Sequence, residues 1–110
     1  MELGVAMMWP FRSKARDAER VIAVFDEAVA LATDKWLMFS KTIVFKSEVA
    51  LGERIQLFAV PMFEGLRSNY PPLKNASAAV LLLIVAKGVQ KSGTHSRAEI
   101  EQALGAPLPN

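Results

Sequence analysis

The chain has 110 residues, enough for one hydrophobic core and too few for two domains, and its lack of cysteine excludes disulfides and thiolate chemistry. Hydrophobic residues make up 52% of it and charged residues 22%, which argues against intrinsic disorder. The net charge of +2 is too small to predict a nucleic-acid partner. We therefore expect a single domain, and the cysteine-free composition favours a cytoplasmic location.

The amino-terminal residues 1–12 are predicted to form an apolar and basic stub ahead of a helical domain at 13–110. Its apolar residues precede its basic ones, whereas a secretory signal has the opposite order. At about 1 kcal/mol per basic residue, this region would support at most weak peripheral contact with an anionic membrane. Packing against the core or a second subunit is the favoured interpretation. The residues available for membrane contact are Trp9, Phe11, Arg12, Lys14 and Arg16.

A long amphipathic helix is predicted to follow Pro10, with Ser13 as its N-cap. Apolar residues recur at steps of three and four, as on one face of a helix. Val24 and Leu31 lie off this stripe and would suit a helix with neighbours on two sides. The stripe consists of Ala15, Ala18, Val21, Ile22, Phe25, Ala28, Val29 and Ala32.

Residues 34–46 allow two interpretations. Trp36, Phe39 and Ile43 continue the helical spacing, but the β-branched run at 42–45 would also suit a short strand. A strand would need a partner, and no other segment alternates with a period of two. A helix that ends near Lys46 is therefore favoured.

A second helix is predicted to start at Ser47 and to reach Pro61. Proline has no amide hydrogen, and its ring clashes with the carbonyl four residues back, so it either kinks this helix or starts a new one. The Pro-Pro pair within 68–72 predicts a loop.

The stretch 75–86 carries no charge between Lys74 and Lys87 and is apolar on every side. Such a helix is buried in a globular core or spans a membrane. A span needs about 20 apolar residues, so the sequence predicts a central core helix at about 75–91, capped by Asn75. A capping box, Ser96 with Glu99, then begins a last helix that ends at Gly105.

Few residues are suited to chemistry. His95 is the only histidine, which excludes a site built on two imidazoles. Its position in a loop favours a solvated turn residue. Glu64 is favoured as solvated or paired with Arg67, but a place in a cleft would raise its pKa and make it a candidate acid. No glycine-rich phosphate loop occurs, so the sequence predicts neither a cofactor nor a metal.

Together these observations predict an all-α fold, a compact bundle of four to five helices around the central apolar helix. The preferred function is a non-enzymatic protein-interaction or assembly module that forms a homodimer. The alternative is a small helical bundle that binds an apolar ligand or lipid, and an enzyme built on Glu64 and His95 ranks third. Aromatic and methionine side chains are enriched at interfaces. The predicted binding residues are Trp36, Met38, Phe39, Met62 and Phe63.

Overall fold

The computed structural model describes the backbone of residues 5–42 and 49–109, and the side chains of residues 19–41 and 49–109. Its elements are helix α1 (Val5–Thr42), helix α2 (Leu51–Asn69), a 3₁₀ turn (Pro71–Leu73), helix α3 (Ala78–Lys91) and helix α4 (Arg97–Leu104). Neither described range contains a strand. The predicted all-α bundle is confirmed, with four α-helices in the part described.

Helix α1 sets the long dimension of the molecule. Its 38 residues correspond to about 57 Å of helix, and the molecule measures 54 × 27 × 19 Å. The predicted break at Pro10 and cap at Ser13 are wrong, because the helix begins at Val5 and passes through both. A proline removes one helical hydrogen bond without forbidding the helix. The boundary at residue 12 between stub and domain stays a prediction.

The carboxyl end of α1 resolves part of the ambiguity at 34–46, since residues 34–42 are helical. Ala32, Trp36 and Phe39 follow helical spacing, and together they bring a buried alanine, a buried indole and a half-buried ring onto the core side. The predicted end near Lys46 and start at Ser47 lie outside the described residues. Helix α2 is described from Leu51, with Ala50 at its N-cap position.

Helix α2 is continuous through Pro61, so the interpretation of two separate helices is wrong. In an uninterrupted helix the Leu57 carbonyl would accept a hydrogen bond from the amide of residue 61. Proline removes that donor. Because Pro61 is exposed and Leu57 is 54% exposed, water can solvate the carbonyl and the helix persists.

Helix α3 is the central element, since it contacts α1, α2 and α4 and buries six of its fourteen residues. It begins at Ala78, and the Ser77 hydroxyl caps it by accepting from the Val80 amide at 3.3 Å. The predicted cap at Asn75 is wrong. The 3₁₀ turn buries Leu73, and the Leu73 carbonyl accepts a hydrogen bond from the Ala76 amide, which keeps residues 74 and 75 in a turn. The buried residues of α3 are Leu81, Ile84, Val85, Ala86, Gly88 and Val89.

Helices α1 and α3 run parallel and approach each other closely at Gly88. A Cβ atom at Gly88 would lie 2.7 Å from the Ala32 Cβ and 3.0 Å from the Ala32 carbonyl carbon. Further along, the Trp36 indole binds Thr94, just beyond the end of α3. Residues without large side chains at 32 and 88 therefore set the distance between the two helices.

Helix α4 is built as predicted. Ser96 accepts from the Glu99 amide and Glu99 accepts from the Ser96 amide, which completes the capping box. Gly105 ends the helix in the left-handed conformation, with φ of 70°. The end of α4 lies against the start of α2, where a Cβ at Gly52 would be 2.9 Å from the Ala103 carbonyl oxygen.

We predict that Gly88→Ala lowers the free energy of unfolding by about 1–3 kcal/mol, the usual cost of overpacking, because the added methyl meets backbone atoms of α1. Gly65→Ala is the matched control. A Cβ there meets nothing within 4 Å, so it should raise the stability by up to about 1 kcal/mol through helix propensity. Urea denaturation followed by circular dichroism measures both. Equal effects of the two substitutions would contradict the close approach of α1 and α3.

Candidate functional site

The five predicted binding residues do not share one exposed face. Trp36 and Met62 are core residues, with 1% and 6% of their surface exposed. Phe39 and Phe63 are half-buried, and Met38 is 60% exposed. The structure thus brings only part of the set to a surface that a partner can reach.

An apolar groove of about 300 Å³ runs between α1 and α2, and we call it the α1/α2 groove. The Phe39 and Phe58 rings meet in it with centroids 5.3 Å apart. The residues that form its α1 wall are four apart, which is the spacing of a single helix face. Two of the predicted binding residues, Phe39 and Met62, lie in this groove. Its lining is Leu31, Lys35 and Phe39 from α1, with Phe58, Pro61, Met62, Gly65 and Asn69 from α2.

Gly65 stands out among the five glycines of the described ranges. Gly93 and Gly105 have positive φ angles of 76° and 70°, and Gly52 and Gly88 lie where two segments touch. Gly65 has neither feature, although glycine in a helix interior costs about 1 kcal/mol relative to alanine. Its visible effect is to leave the wall of the α1/α2 groove without a side chain. Gly65 could not be identified as a site residue from the sequence, because residue type alone does not distinguish a glycine in a groove from one in a turn or at a close contact.

Beside the groove, α2 presents an exposed apolar strip, which we call the α2 ridge. Leu57 and Val60 are 54% and 70% exposed, unusually high for large apolar side chains. Glu53, Leu57, Val60 and Pro61 line one shallow depression, while Pro61 also lines the α1/α2 groove. Pro61 therefore divides the two surfaces.

The charges around this surface differ on its two sides. Lys35 lines the groove, whereas Glu53 and Glu64 are exposed and share helical spacing with Leu57 and Val60. Within the described side chains, neither Lys35 nor Glu64 forms an ion pair with another residue. The prediction that Glu64 is solvated is confirmed and the cleft interpretation is wrong. Arg67, its predicted alternative partner, donates instead to the Ala76 carbonyl at 2.9 Å.

His95 belongs to a hydrogen-bonded cluster that holds Trp36. The buried indole donates from Nε1 to Thr94 Oγ1 at 2.9 Å, and the His95 Nδ1 lies 3.0 Å from the same oxygen. The imidazole is half-buried and makes a T-shaped contact with the Trp36 ring, with centroids 6.3 Å apart. It is therefore more enclosed than the solvated turn residue that the sequence favoured. In the described part of the chain, no three acidic, histidine or cysteine side chains are arranged to hold a metal ion.

A second apolar groove, of about 290 Å³, separates α3 from the carboxyl-terminal residues 106–109. That segment is held by α4, because the Leu108 amide donates to Glu101 Oε2 at 2.6 Å and Arg97 donates to the Leu108 carbonyl. The hydrogen bond from the Leu108 amide holds the pKa of Glu101 below its ordinary value, and the Arg97 side chain adds a smaller effect in the same direction. Both grooves are at the lower end of ligand-pocket volumes, so ligand binding stays a prediction. This groove is lined by Ala79, Leu82, Leu83, Ala86, Leu104, Ala106, Pro107, Leu108 and Pro109.

No protein-family model matches the sequence, and comparisons with curated proteins and with solved structures found no similar protein. Among the helices described, none has the length and apolar character needed to cross a membrane. The side chains on which the predicted weak membrane contact depends, including Trp9 and Arg16, lie outside the described set. The function is therefore inferred from the surface that α1 and α2 form.

We predict that Thr94→Val lowers the free energy of unfolding by about 1–3 kcal/mol, because it leaves the buried indole N–H of Trp36 without an acceptor. Thr94→Ser is the matched control, since it keeps the hydroxyl. Urea denaturation gives the stability, and the chemical shift of the indole proton reports the hydrogen bond. Equal losses in the two variants would show that the hydroxyl does not stabilise the fold.

We predict that the attachment of residues 106–109 weakens in acid. A carboxyl whose pKa is lowered on folding stabilises the fold above its unfolded pKa, here about 4.5, and this contribution is lost as the pH falls through the lower folded value. The protection factor of the Leu108 amide, which is the intrinsic exchange rate at each pH divided by the observed rate, should therefore fall below about pH 4.5. Glu101→Gln should remove this dependence and Glu99→Gln should keep it. An unchanged protection factor of the wild type in acid would contradict the role of Glu101.

Proposed function

We propose that the protein is a non-enzymatic helical interaction module, which binds a protein partner through the α1/α2 groove and the adjoining α2 ridge. The observation that supports it best is Gly65, a helix-interior glycine that no contact or backbone angle within the fold requires. Because an absent side chain lets another backbone approach closely, this glycine is explained by a binding partner. The predicted cytoplasmic location and homo-oligomeric state are part of this proposal.

The dimensions of the groove suit a helix as the bound element. Leu31, Lys35 and Phe39 span nine residues of α1, a rise of about 12 Å or two helical turns. Grooves between two helices commonly receive the apolar face of an amphipathic helix, anchored by residues three and four apart. A mainly apolar lining with two aromatic rings, in which Lys35 and Asn69 are the polar side chains, matches that mode.

The α2 ridge extends the surface beyond the groove. Leu57 and Val60 together widen the apolar area to the far side of Pro61. Exposed apolar patches of this kind mark sites of protein contact. Neither side chain packs in the core, so both are free to contribute to binding without cost to the fold.

We predict that a photo-crosslinking amino acid placed at Leu57 captures a discrete protein product in cells that express the module. The same amino acid at Gln102, an exposed position on α4, should not. Gly65→Leu should suppress the product, because a clash of about 1–3 kcal/mol weakens binding by roughly 5- to 150-fold. Gly65→Ala should retain most of it.

The comparison of the two Gly65 variants makes the test specific, since we expect both to keep the fold but only leucine to fill the groove. If the product persists unchanged with Gly65→Leu, or forms equally from Gln102, the proposed surface is wrong. Thermal denaturation of both variants serves as the control for folding.

A further inference from the structure

Building on the proposed function, we propose that the partner is a second copy of the chain, paired α2 to α2 in antiparallel orientation about a two-fold axis through Pro61. Leu57, Pro61 and Gly65 are spaced by four residues and lie in one row on the helix surface. A two-fold axis through Pro61 reverses this row onto itself. Leu57 of each copy then faces Gly65 of the other.

The two ends of this row are complementary in shape. Leu57 projects into solvent with 54% of its surface exposed, and a Cβ at Gly65 would have no atom within 4 Å apart from its chain neighbours and the backbone of its own helix. One end therefore supplies a protruding side chain and the other supplies the space for it. An interface with two-fold symmetry requires this property, because the same patch must contact itself.

The charges are complementary under the same rotation. Lys35 lies on the groove side of Pro61, and the acidic residues Glu53 and Glu64 lie on the ridge side. The two-fold axis exchanges these sides, so the acidic edge of each copy overlies Lys35 of the other. A partner of uniform charge would be repelled by one side or the other, whereas a second copy matches both.

The rotation also gives the carbonyl of Leu57 a hydrogen-bond donor. Pro61 deprives this oxygen of its helical donor, so burying it in an apolar contact would be costly. The carbonyl is on the row that the second copy covers, and Lys35 of the second copy comes to the ridge side of Pro61. Its ammonium group can supply the missing hydrogen bond.

The association is expected to be reversible, because one helix face buries less surface than a standard stable interface. Sizing with light scattering should show a monomer at high dilution and a dimer as the concentration approaches about 1 mM. Gly65→Leu should remain monomeric at concentrations where Gly65→Ala dimerises. This pair of variants separates loss of the contact from loss of the fold.

Disulfide trapping tests the arrangement itself. The chain has no cysteine, so each introduced thiol is the only one present. Pro61→Cys should form a covalent dimer without a second variant, because the two copies of residue 61 face each other on the axis. Helices packed roughly 8–10 Å apart bring the Cα atoms of such residues to about the 4.4–6.8 Å that is typical of disulfides. Leu57→Cys and Gly65→Cys should form a mixed dimer several-fold faster than Leu57→Cys alone, whose two thiols lie about 12 Å apart along the helices. Gln102→Cys is the control.

A monomer at about 1 mM, or equal trapping of Gln102→Cys and Pro61→Cys, would overturn the inferred dimer. Capture of a different protein from Leu57, sensitive to Gly65→Leu, would then still support the interaction surface with another partner. Failure of both trapping and capture would overturn the inferred dimer and the proposed function together.

Discussion

The burial of α3 beside α1 is the constraint on which the rest of the structure depends. A helix with six buried residues in fourteen and no acidic side chain has to be covered by other elements. The contact of Gly88 with Ala32 lets α1 approach closely enough to cover it. Because α1 continues beyond this contact, it offers a second face to α2. The α1/α2 groove forms where that second face is only partly filled.

The sequence predicts the helices well because their signals are local. The uncharged stretch before Lys87 identifies the central helix, and the Ser96 and Glu99 pair identifies the start of α4. The predicted caps at Ser13 and Asn75 failed, since a hydroxyl or amide side chain caps a helix only where the backbone already turns. At Asn75 the turn is fixed instead by burial of Leu73, a tertiary contact that sequence spacing does not reveal.

The candidate surface was predictable only in part, for the same reason. Met and aromatic residues at helical spacing are correct markers of apolar faces, but they do not say which face is covered. Trp36 is covered by the α3–α4 turn and bound to Thr94, whereas Phe39, three residues later, reaches the groove. The open space beside Gly65 and the exposure of Leu57 depend on tertiary packing, so the sequence does not predict them.

The parallel pairing of α1 and α3 has a consequence for how the chain folds. Trp36 and Thr94 are 58 positions apart, so the main packing partner of α1 is not its neighbour in sequence. Helices α2 and α3 are joined by a short connection and can associate early, while closure of the long loop that brings α1 into place is entropically slower. Until α1 docks, the face of α3 around Gly88 remains exposed to solvent. We therefore expect completion of the core to be a late event in folding, governed by chain topology more than by the strength of any single contact.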